Sequence, residues 1–214
     1  EISCSLVGSE MCIRDRNIGP VDWKTTLLWS LNRNRIDQLL PEYTNEELGV
    51  TVHLDEMDVY SLGGAKQRLT VGGSMGDVYV NTMRTDEHGH IWMNSMTGTL
   101  ETDKNNYVYA GNTNPKYTLS WRNEFNWKGI SLGFMLNARV GGIGVSATQA
   151  VMDYYGVSKT SAEARDNGGV KVNGQMIDAQ TWYQTIGANG TGYVGSMYVY
   201  SLSLIHISEP TRLQ

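Results

Sequence analysis

The sequence feature that most constrains the fold is a two-residue alternation that runs through two neighbouring segments, 117–127 and 130–140. In the first segment the even positions are polar and the odd positions are Tyr117, Leu119, Trp121, Asn123, Phe125 and Trp127. The second segment continues the pattern with Ile130, Leu132, Phe134, Leu136, Ala138 and Val140. A period of two with a break at Lys128-Gly129 predicts a tight hairpin whose strands each have one apolar and one polar face.

A third strand of the same kind is predicted at 23–31, where one face carries Trp23, Thr25, Leu27, Trp29 and Leu31. The stretches between the three strands, 34–113 and 141–196, are long and rich in Gly and Asn. We therefore predict long loops. The second loop has three segments of helical composition, at 147–155, 159–164 and 179–186.

The long connections distinguish two all-β architectures that share alternating strands. Compact soluble domains rarely contain structureless connections of this length. Transmembrane β-barrels join strands of about 9–11 residues through short turns on one side and long loops on the other. The pattern favours a fragment of a transmembrane antiparallel β-barrel with long extracellular loops that carry short helices. The alternative is a secreted β-sandwich module that binds carbohydrate, because its strands alternate in the same way.

The composition excludes two other classes. The chain has 17 Lys and Arg residues against 22 Asp and Glu residues, a formal net charge of −5. That balance provides no polybasic patch for nucleic acid. No stretch reaches the roughly 18–20 consecutive apolar residues of a membrane-spanning helix. We predict neither a nucleic-acid-binding protein nor a helical membrane protein.

The two ends of the chain can be encoded by DNA sequences that are complementary to each other. The segment 5–16 (SLVGSEMCIRDR) back-translates to DNA that resembles a sequencing-library adapter, and 202–212 (LSLIHISEPTR) back-translates to the reverse complement of that DNA. Two unrelated protein segments would hardly be complementary in this way by chance. We predict that 1–16 and 202–214 are adapter-derived, so that 17–201 is the native part and contains neither cysteine.

No motif predicts catalysis or metal binding. His88-Gly89-His90 follows two acidic residues and is typical of a polar turn, because no third ligand stands at a recognised spacing. The acidic residues Asp55, Glu56 and Asp58 are neighbours on one predicted loop, whereas paired catalytic carboxylates face each other across a substrate. We predict a solvated acidic loop there, and no catalytic residues, metal or cofactor.

Aromatic residues in the second loop are the candidate contacts for a substrate or a partner. Packing within the loop is the commoner role of such residues, and stacking on a sugar ring is the functional alternative. The candidates are Tyr154, Tyr155, Trp182 and Tyr183, with Tyr193 and Tyr198 beside them.

Ordered blocks of the sequence resemble one family of outer-membrane proteins. The segment 112–121 reads NTNPKYTLSW, and 125–132 reads FNWKGISL. Together they resemble the block GNPNPKWTLGWSN…FTYKGFSLSF of the SusC/RagA-type TonB-dependent outer-membrane transporters of Bacteroidetes. Similar blocks continue to Tyr200, and upstream the segments 30–36 and 76–89 resemble the family's SYNKNKI and GDIYG…RDENG.

The resemblance implies that 17–201 is a late part of a plugged barrel of about 22 strands, with three strands and the start of a fourth. It implies import of oligosaccharides or other oligomeric nutrients, including peptides, across the outer membrane of a Gram-negative cell. The implied partners are a SusD-like lipoprotein, the outer-membrane lipid, and TonB, which acts through a plug region that 17–201 does not contain. The candidate lumen-facing contacts are Arg122, Glu124 and Arg139.

Overall fold

The computed structural model describes residues 2–45, 49–94, 99–190 and 192–208, and it belongs to the all-β class with antiparallel sheets. In chain order the strands are β1 (Ile2–Ile18), β2 (Val21–Ile36), β3 (Leu40–Asn45), β4 (Val50–Leu54), β5 (Glu56–Leu62), β6 (Ala65–Thr70), β7 (Asp77–Met83), β8 (Thr102–Asn112), β9 (Tyr117–Trp127), β10 (Ile130–Val140), β11 (Ile143–Val145), β12 (Val170–Val172), β13 (Gln175–Ile177), β14 (Val199–Ser201) and β15 (Leu204–Ser208). The helices are α1 (Ala147–Tyr154), α2 (Lys159–Asp166) and α3 (Ala179–Ile186), followed by a 3₁₀ turn at Gly195–Tyr198.

The largest sheet has five strands in the order β1-β2-β9-β10-β15, and all neighbouring pairs are antiparallel. The predicted hairpin is confirmed, because β9 and β10 pair along their full length. Lys128 and Gly129 between them have φ of 45° and 85°. Positive φ at both positions gives a turn whose twist fits an antiparallel hairpin. The predicted third strand, 23–31, is also confirmed, since it lies within β2 and pairs with β9.

These three strands share one apolar face. The registers place Trp23 opposite Phe125 and Phe125 opposite Leu132, so the alternation of all three strands is in phase. Aromatic rings pack across the face: Trp23 stacks on Phe125 and Trp121 meets Phe134 edge to face, both with centroids 6.0 Å apart. Much of this surface is uncovered, and its exposed members, which we call the apolar face, are Leu27, Trp29, Tyr117, Trp121, Trp127, Ile130 and Leu132.

The strand β1 joins the sheet out of phase with this alternation. Its register places Arg16 opposite Trp23 on the side of the apolar face, whereas the exposed Ile13 lies opposite Thr26 on the polar side. The strand therefore extends the sheet through backbone hydrogen bonds without extending its apolar face.

The opposite edge of the sheet differs from the prediction. The start of a fourth strand near Tyr200 forms β14, which pairs with β11 outside the large sheet. The strand that pairs with β10 at this edge is β15. In the described ranges the five strands form an open sheet.

The long connections contain more regular structure than the predicted loops with short helices. The first one contains the β3–β4 hairpin and a four-stranded sheet in the order β5-β6-β7-β8. Every residue of β5 is exposed, while most of β7 is buried on both faces. A strand that is equally exposed or equally buried on its two faces carries no period-two signal.

The three predicted helices are confirmed as α1, α2 and α3. Each begins after a residue whose side chain accepts a hydrogen bond from a backbone N–H of the first turn, and these residues are Ser146, Ser158 and Asp178. Within the part of the chain that the structure describes, no helix has the length and apolar character to cross a membrane.

The helices and the four-stranded sheet share a hydrophobic core. Its buried members are Met83, Leu100, Ala150, Val172, Trp182, Ile186, Tyr193, Val194 and Tyr198. We call β5–β8, β11–β14 and the three helices the loop module. The sheet is tied to the rest of the module at Asn81 on β7, whose Oδ1 accepts a 2.7 Å hydrogen bond from the N–H of Gly195.

Candidate functional site

Three helices enclose a small cavity, which we call the helix cleft, and three of the four candidate aromatic residues line it. The cavity measures about 160 Å³. Tyr154 and Tyr155 line it from the end of α1, with ring centroids 5.2 Å apart and edge to face, and Tyr183 lines it from α3. Tyr155 is 69% exposed, so a large part of its ring is open to solvent. The cleft therefore offers aromatic surface to a small ligand.

The turn after α1 holds this surface in place. Gly156 has φ of +68°, a left-handed conformation that favours glycine. Its carbonyl accepts a 2.8 Å hydrogen bond from Nη1 of Arg165 on α2. A Cβ atom at 156 would lie 2.7 Å from that nitrogen. The close approach of turn and guanidinium explains why a glycine follows the two tyrosines.

A buried carboxylate lies in the wall of the cleft. Asp153 is 4% exposed, and its Oδ1 accepts hydrogen bonds from Nε2 of Gln149 at 2.8 Å and Oγ1 of Thr160 at 3.1 Å. Burial, and then the charge of Asp153, raises the pKa of Tyr183 above its ordinary value. The Tyr183 phenol is therefore neutral at physiological pH, and it can donate and accept hydrogen bonds.

Trp182, the fourth candidate aromatic residue, lies outside the cleft. It is 8% exposed and belongs to the core of the loop module, as do Tyr193 and Tyr198. On α3 the buried positions are Ala179, Trp182 and Ile186, so the tyrosine after Trp182 points to a different side. For these three aromatic residues the structure supports the packing alternative.

The three candidate lumen-facing residues lie on the polar side of the large sheet, but they do not form one cluster. Arg122 and Glu124 make an ion pair with each other on β9. Lys24 on β2 lies opposite Glu124 in the register. Arg139 instead donates from Nη2 to the carbonyl of Thr113 at 3.1 Å, at the end of the sheet where the loop module begins.

The histidine motif forms the predicted polar turn. Oδ1 of Asp86 accepts hydrogen bonds from the N–H groups of His88 at 2.9 Å and His90 at 2.8 Å. These hydrogen bonds, that of His90 foremost, lower the pKa of Asp86. In the described ranges no group of three or more His, Cys, Asp or Glu side chains is arranged to hold a metal ion.

The acidic residues 55, 56 and 58 are all exposed to solvent, as predicted, but two of them lie in a strand rather than a loop, which corrects that part of the prediction. Glu56 and Asp58 lie on β5 and pair with β6. Arg68 makes a 2.7 Å ion pair from Nε to Asp58 and a 3.0 Å ion pair from Nη1 to Glu56. Lys66 reaches Asp58 at 2.8 Å. The carboxylates thus form ion pairs that hold the edge strand β5 against β6, rather than a binding site.

This ion-pair cluster predicts an acid-sensitive loop module. The hydrogen bond from Arg68 is the main cause that lowers the pKa of Asp58 below its ordinary value of 3.8. The unfolded state then binds a proton at higher pH than the folded state, so the stabilisation is complete above 3.8 and is lost as the pH falls through the lower folded value. We expect the urea midpoint to fall over that range, and Asp58→Asn to flatten the decline. Asp166→Asn, at an exposed aspartate of α2, is the control, and an equal effect of both variants would contradict the prediction.

The sequence analysis missed the polar residues of the helix cleft. Besides Asp153 and Arg165, these are Gln180 and Gln184, both exposed on α3. The two glutamines are four residues apart, with Tyr183 between them, so they share a helix face. From that spacing, the sequence could have predicted that both glutamines lie beside Tyr183 on one helix face. The position of Arg165 could not be predicted, because it depends on how α2 packs against the other helices.

No protein-family model matches the chain, and no curated protein is significantly similar to it. The functional assignment therefore depends on the residues and geometry described above.

Proposed function

We propose that residues 17–201 are part of a TonB-dependent outer-membrane transporter of the SusC/RagA type, which imports oligosaccharides or other oligomeric nutrients. The observation that carries the proposal is the exposed apolar face that β2, β9 and β10 share. Soluble monomers rarely expose a large contiguous apolar patch. On a transmembrane barrel the same surface faces lipid.

The dimensions of the sheet support the proposal. Strands β9 and β10 have 11 residues each, and a transmembrane β-strand needs about 9–11. The short turn at Lys128-Gly129 lies at one end of the sheet, where Val21 and Ile130 both pair with Trp127. The long connections leave from the other end. This asymmetry matches short periplasmic turns and long extracellular loops.

The polar side of the sheet is assigned to the interior of the barrel in this proposal. The Arg122–Glu124 pair then faces the lumen and the plug, and Arg139 lies near the extracellular rim. A SusD-like lipoprotein covers the loop module, and TonB acts on a plug that 17–201 does not contain. These partners are part of the proposal and follow from the resemblance to the family.

The proposal includes the adapter origin of 1–16 and 202–214. The phase of β1 supports it for the first segment, because Arg14 and Arg16 fall on the same side as the apolar face through their partners Thr25 and Trp23. Charged residues on a lipid-facing surface are destabilising. β1 is therefore a poor neighbour for β2 in a native barrel.

The proposal predicts how the chain behaves without a membrane. Expressed alone, it should aggregate in aqueous buffer and stay dispersed in detergent, because the apolar face has no partner in water and the open sheet edges can pair with other copies. In lipid the two open edges would leave backbone N–H and C=O groups unsatisfied, so the fragment should not fold by itself. Light scattering after size-exclusion chromatography measures this. A monomer that melts cooperatively in buffer without detergent would contradict the proposal and favour the secreted β-sandwich carbohydrate-binding module.

A further inference from the structure

A second cavity lies beside the helix cleft, at the end of α3. It measures about 200 Å³, and we call it the polar cavity. Its polar side chains come from β7, β8, the end of α3 and the segment that follows α3, and they are Asn81, Thr102, Gln184, Thr185, Asn189 and Tyr193. Gln184 lines both cavities, so the two are adjacent along α3.

The linings of the two cavities select against a charged ligand. The helix cleft contains one carboxylate, Asp153, and one guanidinium, Arg165, so its formal charges cancel. The residues that line the polar cavity include no Asp, Glu, Lys, Arg or His. A site for an anion or a cation presents unbalanced charge of the opposite sign. Both cavities therefore suit an uncharged ligand that forms hydrogen bonds.

The sizes of the cavities indicate what each one holds. Pockets for drug-sized ligands measure about 300–1,000 Å³. At about 160 and 200 Å³, each cavity is smaller than that and suits a single ring-sized unit. Two such cavities that share Gln184 suit two successive units of an oligomer.

We propose that the helix cleft and the polar cavity are neighbouring subsites for two successive units of an uncharged oligosaccharide, with Gln184 between them. This inference rests on the proposed function and specifies the nutrient. In the helix cleft the rings of Tyr155 and Tyr183 pack on the apolar face of one sugar ring. In the polar cavity, hydroxyl and amide groups such as those of Thr102 and Asn81 exchange hydrogen bonds with the hydroxyl groups of the next unit.

The experiment measures binding by isothermal titration calorimetry to the full chain refolded in lauryldimethylamine oxide, a detergent without a sugar headgroup. The probes are neutral hexasaccharides of glucose, xylose and mannose and their monosaccharides, an anionic hexagalacturonate, and a neutral hexapeptide. We expect at least one neutral hexasaccharide to bind, and to bind more tightly than its monosaccharide, because only the oligomer reaches both subsites.

Two variants separate the subsites. Tyr155→Ala should weaken binding of both the hexasaccharide and the monosaccharide by about tenfold, because it removes a stacking ring. Thr102→Val keeps the shape of the β8 side chain, and it should reduce the advantage of the hexasaccharide while monosaccharide binding stays unchanged. Tyr43→Ala, at a comparably exposed tyrosine of β3 outside both cavities, is the control and should change neither.

Three results would overturn the inference: no neutral hexasaccharide binds, only hexagalacturonate or the hexapeptide binds, or the two subsite variants behave like Tyr43→Ala. These results are distinguishable from failure of the transporter proposal. If the chain requires detergent but binds no neutral saccharide, only the subsite inference fails. If it binds a neutral hexasaccharide as a soluble monomer, the transporter proposal fails.

Discussion

Replacing Leu27 with lysine in the complete barrel is expected to prevent much of the protein from folding into lipid vesicles. Leu27 lies on the apolar face of β2, 42% exposed, and its register partner is Trp121 near the middle of β9. On the lipid-facing side of a transmembrane barrel, a lysine near the bilayer midplane costs about 2–4 kcal/mol. The folded fraction in vesicles, measured by protease protection and by urea titration, should fall accordingly.

Leu28→Lys is a matched control for this prediction. Leu28 is the next residue of the same strand, it is 39% exposed, and its partner Ser120 places it on the polar side of the sheet. In water, exposed substitutions of this kind change stability by about 0.5 kcal/mol or less, so a soluble sheet would treat both lysines alike. Equal folding of the two variants in vesicles would show that the apolar face does not face lipid.

The second large effect is expected from Gly64→Ala, which should separate the four-stranded sheet from the rest of the loop module. A Cβ atom at this position would lie 2.1 Å from the carbonyl oxygen of Tyr193 and 2.6 Å from the nitrogen of Gly195. Both are backbone atoms, so neither can turn aside as a flexible side chain does. Overpacking typically costs about 1–3 kcal/mol, and contact with backbone on two sides places this variant at about 3 kcal/mol or more.

The unfolding of the loop module can be followed in urea through the change in tryptophan fluorescence as the buried Trp182, one of six tryptophans in the chain, becomes exposed. Gly133→Ala is the control, since the atoms nearest to its added Cβ lie at ordinary contact distances of 3.7 and 3.8 Å. Alanine there should leave stability unchanged or raise it slightly, because glycine weakens a strand interior. An unchanged midpoint for Gly64→Ala would mean that the sheet and the segment 192–195 are not held together as the structure shows.

The elements that could be predicted from the sequence are those whose two faces differ. In β2, β9 and β10 one face is apolar and the other polar, so the period of two in the sequence predicted these strands. The helices could be predicted from their composition, and the structure adds that capping residues such as Ser146 and Asp178 mark where they begin. The strands of the first connection were not, since β5 is exposed on both faces and β7 is largely buried on both.

The candidate site was predictable in part for a similar reason. Aromatic composition singled out Tyr154, Tyr155 and Tyr183, which the structure brings to one cleft, but it could not separate them from Trp182. That separation depends on which side of α3 meets the core. The contribution of residues such as Arg165 could not be predicted from the sequence, because α2 lines the cleft only when it packs against its neighbours.

By itself, the sequence of this protein determined the amphipathic strands, the tight turn between them and the positions of the helices, because each depends on residues close together in the chain. Only the tertiary structure decided that the long connections form a packed module, that β1 joins the sheet out of phase, and that two uncharged cavities meet at Gln184. These features depend on contacts between segments far apart in the chain, such as Gly64 against Tyr193. The free energy of such contacts belongs to the pair and is encoded in neither segment alone.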